Sequence, residues 1–207
     1  MIGDPPPGMT RLVLVRHCEA DVAPGVLCGR LDPPLAPAGR PRADRLAAWL
    51  SPVRFVAAYA SPARRAVATA EAIAAPRGLG VTCDEALWEV AFGALEGLTW
   101  AEAAARHPEV CATWLARPHE VVFPGGECYR DVLGRASGVV EAILARHQGA
   151  AVLVVAHGGV NRAVLAWALG VPPERAFHLD QRHGAVNVLD RLSDGSFVLR
   201  LLNGACG

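Results

Sequence analysis

Three short apolar runs, RLVLV at 11–15, RFVAAYA at 54–60 and AAVLVVA at 150–156, constrain the fold more than any other feature of this chain. Each is β-branched or small, lacks polar alternation, and precedes a stretch whose apolar residues recur at helical spacing. A strand without alternation is covered on both faces, and parallel strands need helical crossovers to connect them. Helices are expected over 35–50, 61–75, 127–147 and 158–170. Ser61 is read as the N-cap of the second with Pro62 at its first helical position, and Gly170 with Pro172-Pro173 closes the fourth. A further strand is expected over 78–84, and a final hairpin over 184–190 and 196–203 turns at Ser193-Asp194-Gly195. The pattern predicts an α/β three-layer sandwich, with a mostly parallel central sheet and helices on both faces. Residues 1–10, rich in Pro and Gly, read as a loose leader to a single domain over 11–207, within which 85–125 forms a helical or loop insertion over the active site.

Composition removes several classes of function. Twenty basic and twenty acidic side chains leave no net charge, so the basic excess of a general nucleic-acid binder is missing. Every basic residue is an arginine, so lysine-dependent chemistry such as a Schiff base or a P-loop is excluded. The six cysteines form no CxxC pair, which gives a zinc or dithiol site no footing. No membrane span or basic-then-apolar leader is visible, so a cytoplasmic protein is expected. Neither a nucleic acid nor a membrane is an expected partner, and a homodimer is the assembly allowed for. No metal and no cofactor are called for.

In an open α/β sheet the ligand sits beyond the carboxyl ends of the strands. The first strand ends in Arg16-His17, the second leads through Ser61-Pro62 to Arg64-Arg65, and the run at 150–156 ends in His157-Gly158-Gly159. Clustered cations at one rim need an anion. Arginine offers a planar fork of donors matched to phosphate, and a helix beginning at Gly158 adds backbone N–H groups. A neutral histidine can act as nucleophile without a metal.

The segments VRHCEA, SPARRAVATA, LWEVAFGALEG, FPGGE and VVAHGGVNR stand in this order along the chain. Together they resemble the successive motifs of the histidine phosphatase superfamily, the phosphoglycerate mutase-like group. The resemblance implies that His17 is the nucleophile that becomes phosphohistidine and that Glu89 is the proton donor. It makes Arg16, Arg65 and His157 phosphate ligands, His157 being catalytic as well, and the helix start at Gly158 adds a backbone N–H to the same phosphate-binding set. It also implies a histidine acid-phosphatase-type phosphoric monoester hydrolase, most similar to the α-ribazole phosphatase and broad-specificity branch, with α-ribazole 5′-phosphate as one substrate to consider. A phosphoglycerate mutase-type transferase and a non-catalytic phosphometabolite-binding protein are the alternatives.

The chain departs from the family pattern at Cys18, Ala20 and Ala23, where Gly, Thr and Asn are usual. Arg64 is expected to be exposed or structural, and Glu96 to pack locally. Trp88, Trp100 and Trp114 are expected to pack in the core or lid, and His119 has an open role in the insertion. A second Arg-His-Gly, at 182–184, follows no strand and is not taken as the nucleophile.

Overall fold

The computed structural model describes residues 2–206. A six-stranded sheet runs in the order β3-β2-β4-β1-β5-β6, with β1 at Thr10–Arg16, β2 at Phe55–Ala60, β3 at Val81–Cys83, β4 at Ala151–Ala156, β5 at Val186–Arg191 and β6 at Phe197–Gly204. The first four strands are parallel, while β5 runs antiparallel to β1 and β6 closes the hairpin. This is the mixed, mostly parallel α/β sandwich expected from the apolar runs.

Strands β1 and β4 are neighbours at the centre and almost wholly buried. Alternate residues serve opposite layers, as the period of two requires. Leu12, Leu14, Val152 and Val154 pack with α5 (Tyr129–Arg146) and α6 (Gly158–Leu169). Val13, Val15, Leu153 and Val155 pack with α1 (Gly39–Trp49) and α2 (Arg64–Ala74). The chain therefore leaves β1 toward one face and β4 toward the other. Neighbouring strands whose connections part in this way open a crevice at their carboxyl ends.

Several boundaries differ from expectation for local reasons. Helix α2 begins at Arg64, so Ser61 is not its cap; instead Asp32 Oδ1 accepts from the Arg64 N–H at 2.7 Å. Gly170 does end α6, with φ +63°, a conformation glycine adopts without a Cβ penalty. The leader expected to be loose is tied down: Asp4 accepts from Arg54 Nε at 2.6 Å, and Arg11 donates to the carbonyls of Gly3 and Asp4. The stretch 85–125 contains α3 (Trp100–Arg106) and α4 (Pro108–Ala116), followed by the short α7 (Pro173–Ala176) later in the chain. Helix α3 starts on a capping box in which Thr99 and Glu102 satisfy one another's backbone N–H groups. This stretch has its own small core of Leu95, Ala103, Cys111, Val121 and Phe123.

Candidate active site

His17 and His157 are the residues immediately after β1 and β4. Because Arg16 pairs with Ala156 in parallel register, the two histidines emerge side by side. Their ring centroids lie 5.0 Å apart at 68°. His17 Nδ1 is 2.7 Å from the carbonyl of Cys18. A carbonyl only accepts, so Nδ1 carries the proton and Nε2 presents its lone pair.

Arg65, in the first turn of α2, is 1% exposed and links both rings. Its Nε lies 3.3 Å from His17 Nε2 and its Nη2 3.4 Å from His157 Nδ1. The carbonyls of Leu31 and Gly29 hold the guanidinium in place at 2.6 and 2.9 Å. Thr69, one turn along α2, accepts from the Cys18 N–H and donates to the Arg65 carbonyl, tying the helix to the end of β1. Arg64 is exposed, as expected.

Arg16 completes the cationic floor. Its Nη1 donates to the Gln181 carbonyl at 2.6 Å and its Nη2 lies 3.3 Å from His183 Nε2. Its Nε is buried without a hydrogen-bond partner among the described residues. Burial, before any other cause, pushes His17 and His157 well below the usual histidine range, and the Arg65 and Arg16 charges push the same way. Both imidazoles are neutral at pH 7.

Glu89 reaches the same floor from the other side. Its Oε1 and Oε2 accept from the Gly159 N–H at 3.1 and 3.2 Å, at the amino end of α6 where the helix presents free donors. A Cβ on Gly159 would stand 2.6 Å from Glu89 Oε1 and from Val90 Cγ2, so only glycine lets the carboxylate dock here. Gly158 packs against the Arg16 guanidinium, with a Cβ position 3.4 Å from it. Arg135 of α5 clamps the loop that carries Glu89 by donating to the carbonyls of Ala86, Trp88 and Glu89, and it forks onto Glu127. Glu127 in turn accepts from the Ala91 N–H. The FPGGE segment is thus a brace for the Glu89 loop.

The residues predicted for the site, Arg16, His17, Arg65, Glu89, His157 and Gly158, are gathered at one crevice of about 470 Å³, with His157 set just behind its lining. Three others were missed. Ser61 Oγ lies 2.7 Å from His157 Nε2 and accepts from the Ala63 N–H, so its hydroxyl orients the ring instead of capping a helix. His183 lines the crevice with its ring 5.2 Å from that of His17. Arg162, one turn into α6, lines it as well. His119, whose role was open, faces a different depression and pairs with Glu120. Glu96 packs locally, accepting from the N–H groups of Arg30 and Phe92. Trp100 and Trp114 pack in the core of the insertion, while the Trp88 ring lies parallel to His157 at 6.3 Å.

The unusual Cys18 does not enter the crevice. Its side chain is fully buried in the α1/α2 layer, and burial pushes its thiol up to about 12, which keeps it neutral. Ala20 does line the crevice.

Comparison with known proteins identifies the family to which this fold belongs. The family model described as histidine phosphatase superfamily (branch 1) matches residues 12–204. The chain is 32% identical over 194 residues to phosphoserine phosphatase 1 of Hydrogenobacter thermophilus, covering 93% of this chain and 92% of that one. Among solved structures it resembles a mycobacterial glucosyl-3-phosphoglycerate phosphatase, with a TM-score of 0.87, 29% identity, and 95% and 100% of the two chains covered. It also resembles the α-ribazole phosphatase of Shigella flexneri, with a TM-score of 0.86, 26% identity, and 95% and 98% covered. No helix among the described residues is long and apolar enough to cross a membrane.

Proposed function

The chain belongs to the histidine phosphatase superfamily (branch 1) and is a phosphatase of that family, and from this premise we propose that it hydrolyses small phosphate monoesters through a phosphohistidine at His17. The observation that carries the reading is the placement of Arg65 between the rings of His17 and His157, at the ends of two adjacent parallel strands. A neutral imidazole with Nδ1–H held by a carbonyl presents its Nε2 lone pair, which accepts from Arg65 Nε at 3.3 Å until an ester draws the guanidinium onto its oxygens, and is a ready nucleophile.

In the first step His17 Nε2 attacks phosphorus in line while the bond to the ester oxygen breaks. Glu89, which enters this step protonated, gives its proton to that oxygen, and the alcohol departs. In the second step water attacks the phosphohistidine, Glu89 takes the water proton, and His17 is released with inorganic phosphate. Throughout, the three equatorial oxygens carry negative charge. Arg16 Nε, the Arg65 fork and His157 are the groups placed to balance it, and such preorganised donors supply most of the catalysis in phosphoryl transfer. His157 can act as a donor from Nδ1 when its Nε2 accepts from the Ser61 hydroxyl, which can turn to serve either tautomer. The substrate is a small phosphorylated metabolite, and α-ribazole 5′-phosphate is our leading candidate.

The test is release of p-nitrophenol from p-nitrophenyl phosphate in EDTA between pH 5 and 8, with acid quenching to trap phosphohistidine. We expect turnover in wild type and a loss of at least about a thousandfold in His17→Ala. Absence of turnover at any pH leaves a phosphate-binding protein instead. Movement of label between positions of a monophosphoglycerate without net phosphate release identifies a mutase.

A further inference from the structure

The phosphoryl floor occupies only part of the crevice, whose volume of about 470 Å³ falls in the range that holds a complete small ligand. The rest of the wall differs in chemistry from the floor. Val22 and Val26, from the loop after His17, face the insertion's Phe92, Trp114 and Phe123, and Phe177 adds a further ring. The three insertion aromatics are packed on one another, with centroid separations of 5.1 Å for Phe92–Trp114, 5.0 Å for Phe92–Phe123 and 4.8 Å for Trp114–Phe123. They belong to the separate small core built by residues 85–125, so the wall is preformed and stiff.

Its charges are equally informative. Glu89 is the one carboxylate lining the crevice among the described residues, and it is engaged with the Gly159 N–H. The cations Arg16 and Arg65 stand on the floor, at the end of β1 and on α2, while Arg162 of α6 donates to the Leu179 carbonyl close to Phe177. An ammonium group on the leaving alcohol would meet the arginines, a single carboxyl group that already accepts from the Gly159 N–H, and the faces of the aromatic rings. Those contacts replace only part of the hydration it gives up. An uncharged apolar body would instead exchange water for Val, Phe and Trp surface.

We infer that the leaving-group half of this crevice is a binding site for an uncharged apolar or aromatic group, so that the substrate class is a phosphate monoester of an alcohol bearing such a body. The inference rests on the phosphatase reading of the floor and narrows it. A ribose 5-phosphate carrying an uncharged aromatic base belongs to this class, and phosphoserine does not.

The experiment compares primary alkyl esters in which the ammonium-bearing alcohols are the better leaving groups, so that intrinsic reactivity works against the expected order and a preference for the phenylethyl ester reports the pocket. With the full chain, kcat/KM is measured for 2-phenylethyl phosphate, ethyl phosphate, phosphoserine and phosphocholine. The expected result is that 2-phenylethyl phosphate exceeds each of the others by at least about tenfold. Phosphoserine or phosphocholine equal to or better than the phenylethyl ester overturns the inference while leaving the phosphatase reading intact. Val26→Asp, which puts a carboxylate on the apolar wall, should collapse the phenylethyl-to-ethyl ratio, and an unchanged ratio also overturns it. If no ester is hydrolysed, the phosphatase reading fails by itself. The pocket is then judged by calorimetric titration with 3-phenylpropylphosphonate and 2-amino-4-phosphonobutyrate, the isosteres of the phenylethyl ester and of phosphoserine. Tighter binding of the first upholds the inference, and equal or tighter binding of the second overturns it.

Discussion

Arg65 directs its Nε at Nε2 of His17 across 3.3 Å while both residues are almost completely buried. A guanidinium aimed at a neutral ring marks the place where an anion is needed, because the charge has no carboxylate beside it. Lysine at this position has neither the fork nor the reach to keep the Leu31 and Gly29 carbonyls and the anion together. Arg65→Lys should lower kcat/KM by about a hundred- to a thousandfold for every ester alike, read from steady-state kinetics on p-nitrophenyl and alkyl phosphates. A loss confined to one leaving group would contradict the placement.

In the proposed mechanism Glu89 serves the leaving oxygen and not the phosphoryl group, so the effect of its removal should depend on the alcohol. Glu89→Gln keeps the size of the side chain but gives up the proton. We expect a fall of about a hundred- to ten-thousandfold for alkyl phosphates, and a much smaller one for p-nitrophenyl phosphate, whose phenolate leaves unaided. Equal losses on both would remove Glu89 from the role of general acid.

The docking of Glu89 depends on a residue with no side chain. Gly159→Ala introduces a methyl group 2.6 Å from Glu89 Oε1 and from Val90 Cγ2, so the carboxylate must move. The helix itself gains from alanine. The expected outcome is a folded protein with an unchanged or higher Tm whose kcat on alkyl phosphates falls by about a hundredfold, as a shift of an ångström in a catalytic group produces. Wild-type kcat in this variant would show that the contact has no catalytic role.

His183 holds Arg16 from one side while the Gln181 carbonyl holds it from the other. His183→Ala should reduce kcat/KM by about ten- to a hundredfold through loss of that orientation, and His183→Gln, which keeps an acceptor for Arg16, should recover most of it. Failure of the glutamine variant to do better than alanine would point to a role other than positioning.

Acid should destabilise the fold in a defined window. His17 and His157 are held below the ordinary value of 6.5, chiefly by burial, and His183 is lowered too, again with burial first. In the unfolded chain these rings take up protons as pH drops through 6.5, whereas in the folded chain they stay neutral. The unfolded state then binds more protons, so stability is complete above about pH 7 and is lost on descending from 6.5 toward the folded values. Each of the two fully buried rings contributes up to about 1.4 kcal/mol per pH unit in that interval. Thermal melts between pH 8 and 5 should show a plateau and then a falling Tm, and a flat or rising Tm below 6.5 would contradict neutral rings in the folded state.

How much of this was legible in the chain follows from the range of each signal. Strands β1 and β4 announce themselves as unbroken apolar runs, and a parallel strand delivers its functional residue just after its end, so His17 and His157 could be read directly. Arg65 and Glu89 are legible only through motif order, since nothing local distinguishes Arg65 from Arg64. Helix α3 was readable in principle from the Thr99–Glu102 capping box, but its packing against α4 and Phe123 was not. Only the tertiary structure decided the rest. His183 precedes its strand instead of following it, and it reaches the site because β5 runs antiparallel beside β1, which brings the start of one to the end of the other. Ser61 became a partner of His157 because β2 and β4 lie side by side. The apolar wall joins residues 22 to 177. Periodicity and strand ends are properties of neighbours along the chain, whereas antiparallel register and a shared cavity are properties of contacts between distant segments, and those exist only once the sheet has assembled.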